Sequence, residues 1–365
     1  MSAERAEAME AFLAAAGWDD AVRSPLPGDA STRRYIRLRR GERSAMLMDQ
    51  PQTAETPAAS PEATPQERRA LGYNAVARLA GADCGRFVAA ADYLRSLGLS
   101  APEIYAADVA RGFVLIEDLG DDLYAEVLAK GADELALYQG AAKVLAKLHA
   151  RPAPRVLAPD KVLHAYDETA LLAEIDLLPE WFFPQVLGRQ ADGTEVEEHR
   201  ALWRAALAPL LTSPPVFVHR DYHAQNLLWL PSRVGVARVG LIDFQDAVAG
   251  SKAYDLISLV EDARRDVAPA LGEATIAHYL GAMHEQGTAL DPAAFARERA
   301  VFAAQRNVKI VGIFARLARR DGKARYLGYL PRMWSYLGRD LEHRALAPLK
   351  SWYDRAVPAG QRSLR

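Results

Sequence analysis

His219-Arg220-Asp221-Tyr222-His223-Ala224-Gln225-Asn226 is the stretch on which the reading of this chain turns. It follows the short apolar strand Val216-Phe217-Val218. About twenty residues later Val239-Gly240-Leu241-Ile242, a second apolar strand, runs into Asp243-Phe244-Gln245-Asp246. An Asp and an Asn five residues apart on one loop can do two jobs. Asp221 can accept the proton of an attacking hydroxyl, and the amide oxygen of Asn226 can coordinate magnesium on a phosphate chain. A carboxylate at the end of an apolar strand, as Asp243 is, is held rigidly and suits a second metal ligand. Each piece alone has an ordinary explanation: a solvated surface tripeptide, or a turn former after a strand. In this order and spacing they fit the signature logic of kinases.

Composition leaves room for that reading. The chain has 365 residues, half of them apolar, and a formal net charge of -2. No overall basic field directs it to nucleic acid or anionic lipid, and no run approaches the ~18 apolar residues of a membrane helix. A lone cysteine, Cys84, forms no internal disulfide, which suits a reducing cytoplasm. Glu4, Glu7 and Glu10 among alanines make a start unlike a secretory signal. A cytoplasmic monomer is expected, with a small-molecule partner, no nucleic acid and no membrane.

Working outward, residues 3–16 read as a helix stopped at Gly17. Ser24 to Ser31 is turn chemistry, Arg34-Tyr35-Ile36-Arg37-Leu38 alternates like a strand, Gly41 breaks it, and Ala45-Met46-Leu47-Met48 is its hairpin partner. Residues 50–66, rich in Pro, Ala, Thr, Ser and Glu, read as a mobile loop. Helical periodicity covers 67–97. Gly112 to Ile116 is a strand ended by Glu117-Asp118-Leu119-Gly120, and nearly everything beyond 120 is helical. The fold class expected is α+β and two-lobed: a small N-terminal lobe over 1–118 with a β-sheet, and a larger, mainly helical lobe over 119–365.

The motif set resembles the aminoglycoside phosphotransferase and choline kinase superfamily, relatives of protein kinases. More narrowly it is similar to the anomeric sugar kinases that phosphorylate N-acetylmuramate and N-acetylglucosamine in cell-wall recycling. The stretches that carry this are Gly28-Asp29-Ala30-Ser31 followed by Arg33-Arg34-Tyr35, Val218 through Asn226, Asp243 through Val248, and Val311 through Gly328. The resemblance spans about 26 to 337, and only its C-terminal run points to the sugar-kinase subgroup. It implies a two-lobed protein-kinase-like fold, ATP and magnesium as cofactors, and an amino sugar as acceptor. It makes Asp221 the catalytic base and Asn226 and Asp243 the metal ligands. Gly28, Asp29, Ala30 and Ser31 would close over the phosphates, and Glu117 and Leu119 would bond adenine through their backbone. Asp255 would hold the catalytic loop; read alone, it serves equally as a helix N-cap. His149 matches a family position and reads first as a packing residue.

The chain also departs from the family. Its phosphate loop has one glycine. The strand that carries the phosphate-binding lysine in kinases reads Met46-Leu47-Met48 here. Either another cation serves, with Arg33 and Arg34 nearest in sequence, or the protein is a degenerate pseudokinase. Retention of Asp221, Asn226 and Asp243 favours an active enzyme. A protein kinase is disfavoured because 247–258 leave no room for an activation segment.

Several acceptor-site candidates remain two-sided. Trp181, in Trp181-Phe182-Phe183, can stack on a sugar or belong to a helix core. Glu174 and Asp176 can bond sugar hydroxyls or form a solvated face. In the helix at 299–320, Arg306, Lys309, Arg316 and Arg320 fall within a sector of roughly 80° at ~100° per residue. On so apolar a helix a basic stripe wants a reason: an anion-binding wall, or salt bridges to neighbouring helices. The stripe argues against polycationic aminoglycosides as acceptors; choline and homoserine are the other acceptors weighed.

Overall fold

The computed structural model describes residues 2–27, 33–51, 59–60, 62–79 and 83–362. Backbone contacts divide the chain into two compact units: Met1–Ala132 with Arg155–His164 and Gln225–Ala247, and Asp133–Pro154 with Ala165–Ala224 and Val248–Arg365. A single cut between 118 and 119 does not reproduce this division. Two later segments return to the first unit, and that unit runs on past the connector.

The first unit is built on five antiparallel strands: β1 (Val22–Pro25), β2 (Arg34–Arg40), β3 (Arg43–Asp49), β4 (Ile104–Asp108) and β5 (Phe113–Glu117), in the order β1-β2-β3-β5-β4. The β2–β3 hairpin turns at Gly41, whose φ of 59° favours glycine, and pairs Leu38 with Ala45 and Tyr35 with Met48. Leu38, Leu47, Phe113 and Leu115 form a core with Met9, Phe12 and Leu13 of the helix Ala3–Ala15. Ser2 caps that helix, accepting from the Arg5 N–H. β1 and β4 were not anticipated. β1 overlaps a stretch read as turn, and its Pro25 is tolerated because the strand lies at the sheet edge.

The helical run expected over 67–97 is interrupted. A helix spans Pro65–Leu71, capped by a Thr64/Glu67 capping box, and stops at Gly72. A π-helical turn covers Asn74–Arg78, and the helix Cys84–Ser96 begins at its N-cap Asp83. Of the loop expected at 50–66, residues 52–58 and 61 lie outside the described residues, and Pro65 opens a helix instead.

The segment 225–247 forms a hairpin of Leu227–Trp229 with Val239–Leu241. It joins the first unit through bridges from Ser100 to Gly240 and from Leu123 to Leu228. The Ser100 hydroxyl donates to the Ala237 carbonyl at 2.6 Å. Gly240 lies so close to its neighbours that a Cβ there would stand 3.1 Å from Leu228 and 3.4 Å from Leu119. This hairpin sets the site, since Asn226 precedes its first strand and Asp243 follows its second.

The second unit is helical. Glu134–His149 packs on Pro269–Glu285. The 30-residue helix Pro292–Asp321 packs on Glu168–Ile175, Ala253–Val260, Leu330–Asp340 and the π-helical stretch Leu178–Leu187. It buries Phe295, Val301, Phe302, Val308, Val311 and Phe314, because its apolar positions meet neighbouring helices on several sides. Two short strands, Val216–Val218 and Val248–Gly250, pair antiparallel. The motif loop leaves the first, and the helix Ala253–Val260 follows the second. Among the described residues no helix is long and apolar enough to cross a membrane.

Candidate active site

Asp243 sits just past the hairpin with φ at 64°, a left-handed conformation uncommon outside glycine and commonest in Asn, Asp and His. Such strain persists where surroundings over-determine it, often at functional positions. The Ile242 N–H donates to the Asn226 carbonyl at 3.2 Å, tying the two ends of the hairpin together. The Asn226 amide donates to Asp243 Oδ2 at 3.5 Å, Gln245 Nε2 to Oδ1 at 2.9 Å, and Arg33 Nη1 to Oδ1 at 3.3 Å. The Arg33 side chain is 6% exposed. Burial opposes its charge, but Tyr35, Asp243 and Asp246 outweigh burial and raise its pKa. Arg34 is exposed. The alternation of the strand thus sends one arginine to the carboxylate and the other to solvent. Met48 occupies the β3 position expected for lysine and accepts from the Tyr35 hydroxyl at 3.6 Å.

Asn226 and Asp243 fit magnesium. Both offer hard oxygen donors, once the Asn226 amide is turned over to present Oδ1. Among the described residues no group of three or more His, Cys, Asp or Glu could hold a metal alone. Magnesium bound by one or two protein oxygens together with phosphate needs no such cage.

At the expected adenine position, the Glu117 N–H is already donated to the Glu103 carbonyl at 2.8 Å. Arg37 grips Asp118 at 2.9 Å and Asp121 at 2.7 Å, which fixes the connector. The Leu119 side chain packs beside Gly240. Gly28, Asp29, Ala30 and Ser31 lie outside the described residues.

In the second unit, both carboxylate oxygens of Asp255 are engaged by the backbone. The His219 N–H donates at 2.6 Å and the Arg220 N–H at 2.9 Å. Asp255 is fully buried in the first turn of its helix, and the N-cap is Lys252, so Asp255 does not cap. Burial drives its pKa up, against those two bonds. Arg220 has φ at 76°. Its guanidinium donates to Glu174 Oε1 at 2.7 Å and lies 4.9 Å from the centre of the Tyr166 ring. Asp221 is half-buried. Burial acts to raise its pKa, but Lys309, His223, Arg220 and His219 prevail and hold it below the ordinary carboxylate value. An ionised carboxylate on a fixed loop can accept a proton at neutral pH. His223 is lowered chiefly by burial, against Asp262 and Asp221. His149 is buried, bonds Tyr279 at 2.9 Å and is lowered by burial to about 3, which is the behaviour of a packing residue.

The acceptor candidates separate. Glu174 is fully buried, so it offers no surface to a sugar; it accepts from Arg220, Lys309, Tyr166 and Gln305. Asp176 pairs with Arg200 at 2.9 Å. Phe182 and Phe183 are core, against Trp334 and Trp352, while Trp181 stays half-buried. The basic stripe divides as well. Arg306 is buried and donates to the Glu261 carbonyl, and Lys309 lies on Glu174 at 2.8 Å. Arg316 is half-buried near Glu180, and Arg320 is exposed beside Asp321. A cavity of about 370 Å³ in this unit, lined by Glu261, Glu273, Arg299, Arg339, Asp340, His343 and apolar neighbours, includes none of the motif residues.

Glu174 as an anchor was missed by sequence reasoning, although a signal existed. Glu174 is a lone acid in Leu171-Leu172-Ala173-Glu174-Ile175, and Lys309 a lone cation in Val308-Lys309-Ile310-Val311. An acid and a cation, each flanked by apolar residues on its helix, call for each other.

A five-stranded antiparallel unit with a hairpin bearing Asn and Asp, and a helical unit with a buttressed H-R-D loop, are the parts of a protein-kinase-like phosphotransferase. The chain belongs to the phosphotransferase enzyme family, whose sequence profile matches residues 22–290. The N-acetylmuramate/N-acetylglucosamine kinase of Caulobacter vibrioides is 47% identical over 365 residues, covering 99% of each chain. A kinase of the same name from Pseudomonas aeruginosa is 35% identical over 332 residues, covering 89% of this chain and 86% of that one. Among solved structures, ADP-bound aminoglycoside phosphotransferase APH(2'')-Ib superposes with a TM-score of 0.56 at 16% identity, covering 94% of this chain and 98% of that one. At that identity the likeness is one of fold.

Proposed function

We propose that this protein is an ATP-dependent kinase that phosphorylates the anomeric hydroxyl of N-acetylmuramate and N-acetylglucosamine, in peptidoglycan recycling in the cytoplasm. The observation that carries the acceptor is the identity of 47% along the whole chain to a kinase of that name. The chemistry rests on the pinned loop of Asp221 and on the polar cluster around Asp243.

In this mechanism Asp221 accepts the proton of the sugar hydroxyl as the hydroxyl oxygen attacks the γ-phosphorus of ATP. The bond to the bridging oxygen breaks and ADP departs. Asn226 and Asp243 would hold magnesium, which would supply positive charge against the phosphates of ATP. Arg33 supplies the cation that Met48 does not, and the Glu117 carbonyl and Leu119 N–H are the backbone groups offered to adenine. Arg33, buried and aimed at Asp243, favours an active enzyme over a pseudokinase. The test is NMR of the products after incubation with N-acetylmuramate, ATP and magnesium. A phosphate on the anomeric carbon is expected. No sugar phosphate from either amino sugar would overturn the reading.

A further inference from the structure

We propose that Glu174 is a positioning residue for the phosphoryl transfer, aiming Asp221 through Arg220 and setting the charge around it through Lys309. This rests on the proposed role of Asp221 as base.

A carboxylate with no exposed surface is tolerated only where donors surround it. Glu174 has four. Arg220 Nη2 and Lys309 Nζ reach Oε1 at 2.7 and 2.8 Å, Gln305 Nε2 reaches Oε2 at 3.0 Å, and the Tyr166 hydroxyl donates to Oε2. The two cations on one oxygen have distinct destinations. Arg220 immediately precedes Asp221 and is held in a left-handed conformation. Its backbone N–H is fixed by Asp255, its carbonyl accepts from Ser258 at 3.4 Å, and its side chain is fixed by Glu174 with Tyr166 beneath it. Three independent grips on a strained residue determine where the next residue points. Lys309 donates to the Tyr254 hydroxyl at 3.1 Å and is the strongest charge acting on Asp221. Other ionisable groups that act on Asp221 include His219, Arg220, His223 and Asp255.

Opposite signs make the proposal testable. Removing Lys309 takes a positive charge from Asp221 and leaves burial unopposed by its strongest neighbour, so the pKa of the base rises. Removing the charge of Glu174 leaves Lys309 and Arg220 uncompensated, so that pKa does not rise, yet the loop loses its anchor. The experiment compares Glu174→Gln, Lys309→Met, Lys309→Arg and Asp221→Asn in the same assay. It measures kcat and KM for ATP from about pH 2.5 to 9, with folding checked by circular dichroism at each pH. For Glu174→Gln, kcat falls about 10²-fold, the loss typical of a misaimed catalytic group, while KM for ATP and the acid limb do not rise. For Lys309→Met the acid limb moves to higher pH, and Lys309→Arg restores it.

A purely structural role lowers activity in both variants without moving the limb, and that result overturns the proposal. So does a Glu174→Gln enzyme with wild-type kcat. If Glu174→Gln does not fold, the two lysine variants decide: a displaced and restored limb supports the proposal, and an unmoved limb overturns it. Wild-type turnover in Asp221→Asn instead overturns the assignment of the base, which separates the two failures.

Discussion

Asp255 carries no reacting atom, yet the structure makes its replacement measurable twice. The carboxylate accepts two buried backbone N–H groups at 2.6 and 2.9 Å. Asp255→Ala leaves both without acceptors, at about 1–3 kcal/mol each, and Asp255→Asn leaves one. Part of this returns, because Arg220 is then free to leave its left-handed conformation, which costs roughly 1 kcal/mol. The net destabilisation is about 0–2 kcal/mol for Asn and about 1–5 kcal/mol for Ala. At roughly 2–4 °C per kcal/mol for a domain of this size, the helical unit should melt up to about 8 °C lower in the first case and about 2–20 °C lower in the second. The relaxation that recovers energy also misplaces Asp221, and a shift on the order of 1 Å is enough for a ~10²-fold loss of kcat. Thermal unfolding by circular dichroism, with steady-state kinetics on the same preparations, provides both numbers. An Asp255→Asn protein with wild-type melting and wild-type kcat refutes the idea that this carboxylate holds the loop.

Further expectations follow from individual contacts. Asp221→Asn should fold and bind ATP nearly as wild type does while kcat falls by ~10²–10⁴. Because its pKa is held below the ordinary ~3.9, the wild-type contribution of Asp221 is present above that value and is lost only as pH falls through the lower one. An acid limb of kcat/KM near neutral pH would contradict this. Arg33→Ala should weaken ATP by about 1.5–3 kcal/mol, the loss of a charged hydrogen bond, and Arg34→Ala should change little; calorimetric titration separates them, and two neutral results would restore the pseudokinase reading. Arg316 is the stripe residue that lies half-buried near Glu180. Arg316→Ala should weaken N-acetylmuramate by about 1.5–3 kcal/mol and leave N-acetylglucosamine nearly untouched; equal losses in KM for the two sugars would remove its carboxylate-reading role. Gly312→Ala would place a Cβ 2.5 Å from Leu177 Cβ and 2.6 Å from its backbone carbon, so overpacking should cost about 1–3 kcal/mol in denaturant titration.

The sequence by itself determined what is local. Alternation and Gly41 specified the β2–β3 hairpin, since strand period and turn chemistry act over a few residues. An apolar strand ending in Asp243 and a loop bearing Asp221 and Asn226 declared phosphoryl chemistry, because those residues lie next to the strands that fix them. Only tertiary structure decided which charges meet. It sent Arg33 to Asp243 and left Arg34 in solvent. It returned 225–247 to the first unit through bridges to residues more than a hundred positions away, and 155–164 through packing on the helix Cys84–Ser96. It withdrew Glu174 and Lys309 from a sugar surface and joined them, and it broke one basic stripe into four different fates. A side chain's period along its helix shows which face it lies on. The partner on that face comes from another part of the chain, and for a buried charge the partner determines what the residue does.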